Sequence, residues 1–527
     1  MYRIKYLLIF LVIAISFAGC DDFLGDNRDV DAIDKVPPSQ IMPVVLFYSV
    51  LQNYDHGEYG SYLSQSLTTP GRSQASSLAY KSGWEFLGMN RHPQWRRHFF
   101  DIGSNANELL ALAGEEGSSN YIALTRLLRL LSVQTTTDVF GDMPLTEAYL
   151  SSAPKYDTQE SIYDWMLTEA DALIDLFNSA DVKASSNRTI DGKIDRVFAG
   201  DMNKWKQLVY AVKARILLRQ IPNISTSIEV SNEIVATAEM ALNGWIDPIY
   251  KFDGGSSVEL NNMWGTNNKP INSWESRANE LGGAIPTKFL VENMLGFDSG
   301  SNTASDPRLG YLMQARGAAA NGIDTTFRYL ESNIGMPATH KIEWYPDMYE
   351  NVLSTDTSSI ILLTRGELHF IVAEAAYWAG DKVKATEHLR KGIHYHMSRL
   401  QVAPAEKAAY LENPDLVPGS ANITLRDIMK EKYIALYLQP EQWNDMRRYG
   451  YSNESNDRRY DNTIIYPGLQ RPHNLYEAYW SGDNEWLQRI NYDPETEEKY
   501  NRSELTRLGA FRDHQWLKKP MIWAPQN

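Results

Sequence analysis

The sequence predicts a mostly α-helical protein, and three observations carry that reading. Apolar residues recur at three- and four-residue spacing in one segment after another. Clean β alternation is scarce. Capping residues, glycines and prolines stand where the periodic segments begin and end. With 43% hydrophobic residues in 527, there is ample apolar sequence for a large core.

The first periodic segment is 120–138, where Leu124, Leu127, Leu128 and Leu131 share a face. The clearest is 159–178. There Ile162, Met166, Ala170, Leu173, Ile174 and Phe177 line one side, and Asp157 and Thr158 can supply the N-cap. A third helix is predicted over 202–221, with Trp205, Leu208, Val209, Val212 and Ile216 inward and Pro222 as the stop. The next, 228–243, ends at Gly244. Residues 365–379 stop at Gly380, Asp381 opens a helix to about Leu400, and 424–438 ends before Pro440. The 365–400 unit, with small packing residues Ala373, Ala375 and Ala376, has the size and texture of a tetratricopeptide helix pair. The 120–178 and 202–243 pairs have similar texture. Segments 245–285, 297–362 and 452–503 are rich in Gly, Asn, Ser, Trp and Tyr, and read as long packed or functional loops. No Pro/Ser linker divides them, so 41–527 reads as one domain.

The N-terminus has its own logic. Arg3 and Lys5 precede an apolar run over 6–15, followed by Ser16, Phe17, Ala18, Gly19 and Cys20. This is the pattern of a signal peptide over 1–19. The run spans about 15 Å as a helix, against about 30 Å of bilayer hydrocarbon. Cys20 is the single cysteine, and small residues directly precede it, as in a bacterial lipobox with Phe17 in the usual Leu position. Cleavage would make Cys20 the first residue and the site of lipidation, and two or more acyl chains anchor stably. Residues 20–40, with Asp21, Asp22, Asp26, Asp29, Asp31 and Asp34, read as an acidic tether rather than a calcium loop, because the EF-hand glycine and glutamate are missing.

Lys plus Arg is 51 and Asp plus Glu is 66, giving a net charge of −15. That balance argues against a generic nucleic-acid binder. Nucleotide, zinc-protease and serine-hydrolase motifs are absent from the sequence, so no catalytic residue, cofactor or metal ligand is assigned. His394 and His396 lie two apart, about 200° around a helix, and read as separate side chains rather than an ion site. Acid pairs Glu115, Glu116 and Glu497, Glu498 read as solvated turns.

Aromatics are the informative excess, with 14 Trp, 30 Tyr and 16 Phe. Trp264 and Trp274 stand ten residues apart in an Asn- and Gly-rich stretch, with Trp84 and Trp95 in other loop-like contexts. Flat rings among amides suit sugars: C–H faces stack on the ring while Asn261, Asn262, Asn267 and Asn268 bond hydroxyls. These four tryptophans are the candidate ligand residues. The other reading is that the rings pin long loops to the scaffold. Trp205 and Trp443 sit in helical patterns and read as core.

Further motifs carry a resemblance. Cys20, Asp21, Asp22, Phe23 and Leu24 open the mature chain. Phe140, Gly141, Asp142, Met143 and Pro144 are followed by Glu147 and Ala148. Lys204 and Trp205 precede Lys213, Arg215 and Arg219. Asp306, Pro307, Arg308 and Leu309 form one motif, Glu367 to Ala376 another. Glu431 and Lys432 precede Glu441 to Arg448, and Ile465, Tyr466 and Pro467 follow. In this order the chain resembles the SusD/RagB family of Bacteroidetes outer-membrane nutrient-binding lipoproteins. The usual Arg before Tyr466 and Pro467 is missing, and 514–527 matches only loosely. The resemblance implies a SusD-like fold of four tetratricopeptide-like helix pairs with a loop-rich ligand-facing part. It implies a surface-exposed lipoprotein that delivers oligosaccharide, or occasionally peptide, to a SusC-like TonB-dependent transporter. It gives Asp306, Arg447 and Arg448 structural roles, and no ligand residue can be carried over. The competing readings are a lipid-anchored glycan-degrading enzyme and a helical adaptor.

Overall fold

A computed structural model of the chain describes residues 36–71, 79–89, 91–221, 227–266, 280–295, 306–316, 327–349 and 351–526. The segment expected to be a signal peptide, Cys20 and most of the expected tether lie outside these residues. The longer helices are α1 (Pro38–Leu63), α2 (Asn105–Glu116), α3 (Ser119–Phe140), α4 (Gln159–Asn178) and α5 (Met202–Leu218). They continue as α6 (Ile228–Leu242), α7 (Arg365–Trp378), α8 (Lys382–Arg399), α9 (Leu425–Ala435) and α10 (Glu441–Arg448). From α2 to α8 each packs against the helix before it, while α1 lies on α2, α3 and α10. Beside shorter helical segments there are two short antiparallel ribbons: β1 (Leu67–Thr68) with β3 (Ile285–Pro286), and β2 (Ile249–Tyr250) with β4 (Ile360–Ile361). The fold is mostly helical, with one dominant core.

Local chemistry sets most helix ends where expected. The Thr158 hydroxyl accepts from Ser161 N and opens α4, and the Asp381 carboxylate accepts from Lys384 N and opens α8. Thr424 and Asp427 form a reciprocal capping box on α9. Gly380 turns the chain between α7 and α8 at φ +84°, a conformation that suits glycine. Gly392 on α8 touches α7 so closely that a Cβ would stand 2.8 Å from the Phe370 ring.

Three expectations are corrected. The 20–40 tether is too long, because α1 begins at Pro38, the N1 position where proline's fixed φ is already helical. Nothing in the sequence pattern announces α1, although it runs 26 residues. It is buried on most of its circumference, so Ser49, Gln52, Asp55 and His56 face protein as its apolar residues do, and amphipathic contrast vanishes. Glu497 is no solvated turn: its carboxylate accepts from Trp95 Nε1 at 3.1 Å and from the Tyr156 hydroxyl, and burial holds its pKa above the ordinary value. In addition, α5 ends at Leu218, before Pro222. By contrast His394 is exposed and His396 buried, on opposite sides of α8. Trp205 and Trp443 are core residues, as their helical spacing predicts.

The recurring motifs meet in buried ion networks that lock helices together. Arg219, at the C-terminal cap of α5, donates to Asp138 on α3 and Glu441 on α10, both at 2.7 Å. Arg215 pairs in a fork with Glu367 on α7. Arg448 bonds Asp445 at 2.7 Å and the Ile221 carbonyl at 2.6 Å, while Arg447 bonds the Gln488 carbonyl at 2.8 Å. Asp306 turns the chain by accepting from Arg308 N at 3.0 Å, and also binds the Arg308 guanidinium, which reaches Glu431 on α9 at 2.6 Å. Burying so many charges is tolerable because each finds an opposite charge or, as Arg447 does, a carbonyl and the face of Trp443.

Candidate functional site

Of the four tryptophans singled out by sequence, Trp274 lies outside the described residues, with Asn267 and Asn268. The other three are buried, which corrects the expectation that they offer open stacking faces. Trp264 sits edge-on to Tyr54 of α1, with ring centroids 4.6 Å apart. The neighbouring amides are occupied too: Asn261 bonds the carbonyls of Gly255 and Ser257, and Asn262 that of Leu353. Trp95 lies among Phe99, Phe140 and Tyr492. Trp84 is 1% exposed and packs against Trp480 and Trp486. The physical reason is common to all three. An indole carries a large apolar area, and where loops are thick enough to cover it, covering wins.

Around Trp84, however, the fold assembles an aromatic surface that sequence spacing did not reveal. The short helix Glu477–Trp480 is tied to the Trp84 segment by Tyr476 N to the Gly83 carbonyl at 3.0 Å and by Trp480 Nε1 to the Trp84 carbonyl at 3.2 Å. This helix turns Tyr476 and Tyr479 outward, half-buried, with ring centroids 4.6 Å apart. Tyr479 lies nearly parallel to the ring of His514, 5.6 Å away, and donates to Glu85 at 3.1 Å. Burial, and then the Glu85 carboxylate, raises the Tyr479 hydroxyl above its ordinary pKa. Beneath this rim, Arg471 lies over Trp84 and Trp480, and Asp483 holds both Arg471 and Lys518. The visible signal was the run Tyr476, Tyr479, Trp480, aromatic at three- and four-residue spacing in a segment read only as loop.

A charged cluster flanks the same region. Lys81 reaches Glu58 and Glu280, each at 2.6 Å, and Glu280 accepts from the Tyr62 hydroxyl at 2.6 Å. Burial opposes the Lys81 charge, but the two carboxylates more than offset it and hold its pKa well above the usual value. This cluster ties α1 to the loop segments at 81 and 280. The aromatic rim thus combines partly exposed ring faces with the Glu85 carboxylate and the Arg471–Asp483 pair, which can stack on a sugar and bond its hydroxyls, while the Lys81 cluster is buried beneath. Among the described residues no group of three or more His, Cys, Asp or Glu side chains is arranged to hold a metal ion. No described helix is long and apolar enough to cross a membrane.

The sequence of residues 35–467 matches the SusD-like family, described as "Starch-binding associating with outer membrane". Solved structures with the same fold include a SusD/RagB family protein from Bacteroides thetaiotaomicron. It has a TM-score of 0.65 and 18% identity, covering 94% of this chain and 100% of that one. A SusD homolog from Bacteroides uniformis aligns with a TM-score of 0.68 at 16% identity, covering 94% and 100%. A protein described as chitin-binding aligns at 0.64 and 17% identity, covering 93% and 100%. No curated protein matches by sequence.

Proposed function

Because the chain belongs to the SusD-like family, we propose that it is a surface-exposed, lipid-anchored outer-membrane protein that binds oligosaccharide and passes it to a SusC-like TonB-dependent transporter, without catalysis. The observation that carries this reading is the family match over residues 35–467. The chitin-binding neighbour of the same fold supports a glycan as the cargo. In this reading Cys20 carries the lipid, and the tether ahead of α1 sets the domain off from the membrane. The ligand surface is the aromatic rim of Tyr476, Tyr479 and His514 over the Trp84 base, with Trp274 as a further stacking residue.

Native affinity electrophoresis against a panel of neutral and acidic glycans, run beside a product assay on the same glycans, tests the proposal. Retardation without product is the expected result. Product formation assigns the chain to glycan degradation instead. The double variant Y476A/Y479A is expected to keep its melting temperature and to weaken glycan binding by about 1–3 kcal/mol, by analogy with base–aromatic stacking. Co-purification with a TonB-dependent transporter from outer membranes tests the partner.

A further inference from the structure

A second cavity lies apart from the aromatic rim and shares none of its residues. It is a cleft of about 500 Å³ between the helix Lys288–Leu295, α9 and the loop at 465–468. Its apolar lining comes from Phe289, Leu416, Tyr433, Ile465 and Pro467. Tyr433 contributes its ring, because its hydroxyl is engaged by Ser66 and by the carbonyls of Ser64 and Gln65. A polar notch of about 360 Å³ adjoins the cleft, with Asp415 and Arg426 lining both. The combined groove falls in the size range of small-ligand sites, about 300–1,000 Å³.

Two cations serve this groove. Arg426 and Lys430 are four residues apart on α9, so they share a helix face. Arg426 is oriented by its Nε, which donates to the Ile464 carbonyl at 2.9 Å, and among the described residues neither side chain forms an ion pair. The amides of Asn422 and Asn462 line the notch, and their side chains make no hydrogen bond within the described structure. Three acids also face the groove. Glu454 is partly engaged by Gly468 N at 3.0 Å, Asp427 accepts from the Thr424 amide and hydroxyl at the start of α9, and Asp415 lines both cavities beside Arg426. In a protein of net charge −15, the groove sets two cations with no ion pair among the described residues beside an apolar floor and free amides. It matches a sugar with a carboxylate: the guanidinium fork and ammonium take the anion, the amides take hydroxyls, and the ring's C–H face lies on the apolar floor.

We propose that this groove is a second carbohydrate site, selective for a uronate-bearing oligosaccharide, with Arg426 and Lys430 as the carboxylate receptors. The proposal rests on the glycan-binding reading, and the test separates the two. Calorimetric titration of the full chain with trigalacturonate, maltotriose and chitotriose is expected to show binding of the uronate trimer that falls as salt is raised. K430Q is expected to weaken it about tenfold or more, the loss of a charge-assisted contact, at an unchanged melting temperature. R426Q/K430Q should abolish it, and Y476A/Y479A should leave it intact. Uronate binding that ignores K430Q, or that is lost in Y476A/Y479A, overturns the assignment. If neutral trimers bind and the uronate does not, the groove proposal fails while the glycan reading stands. If no glycan binds in titration or on the electrophoretic panel, both fail. Tighter binding of a short acidic peptide than of the uronate also overturns it.

Discussion

Replacing Glu374 by Gln should be among the most damaging single substitutions in the scaffold. Glu374 is fully buried on α7, and it accepts from Lys432 at 3.0 Å, from the Tyr449 hydroxyl at 2.6 Å and faces Arg448 at 2.6 Å. A second carboxylate on those two cations is Asp445, 2.9 Å from Lys432 and 2.7 Å from Arg448. With both acids ionised, the group of four is neutral. The glutamine preserves shape but leaves one buried positive charge uncompensated, and breaking a buried pair in this way costs about 3–5 kcal/mol. For a domain of roughly 490 residues, an unfolding entropy of about 2.1 cal/mol/K per residue gives about 1 kcal/mol/K, so the melting temperature should fall by about 3–5 °C. The pH dependence gives a second readout. Burial would raise the Glu374 pKa, but Arg448 and Lys432 outweigh it and hold it below the ordinary value. Its stabilisation is therefore complete above the unfolded carboxylate pKa and is lost as pH falls through the folded one. E374Q should lose stability at neutral pH and show a shallower decline in acid. Calorimetric melts of both proteins between pH 3 and pH 7 measure this. A variant that melts within 1 °C of the parent at pH 7, with an unchanged acid limb, would refute the reasoning.

Trp205→Ala should cost about 3–5 kcal/mol, since the indole is fully buried against Phe198 and donates to Asp195 at 2.7 Å; chemical denaturation reads it. His369 and His388 meet across α7 and α8 at 3.1 Å, and burial lowers their pKa values to about 3 and about 4. Both are neutral when folded, and the unfolded chain binds more protons below about pH 6.5, so their contribution to stability falls from there down to the folded values. H388Q should flatten that part of the stability–pH curve, and an unchanged slope in denaturant titrations would count against the pair. Cys20→Ala should release the chain from the membrane fraction and abolish palmitate labelling, and persistent labelling would show that another anchor exists.

Sequence by itself determined the fold class and the positions of α3 to α9, because each carries an apolar stripe and a legible cap such as Thr158, Asp381 or Thr424. It also placed Trp205 and Trp443 in the core, and it made the family visible through charged motifs whose partners it could not name. Those motifs are non-local: Arg219 meets Asp138 and Glu441 across 81 and 222 residues, a pairing that no local window contains. The same limit hid α1, whose surroundings are protein on most sides and so leave no polar face to read. It also misdirected the search for the ligand surface. Whether an aromatic ring in a loop is a stacking platform or a core residue depends on what other loops cover it. Tertiary packing buried Trp84, Trp95 and Trp264, and turned Tyr476 and Tyr479 outward above one of them. Burial is a property of the assembled loops, set by contacts that reach from residue 84 to residue 480, and composition around a single ring does not encode it.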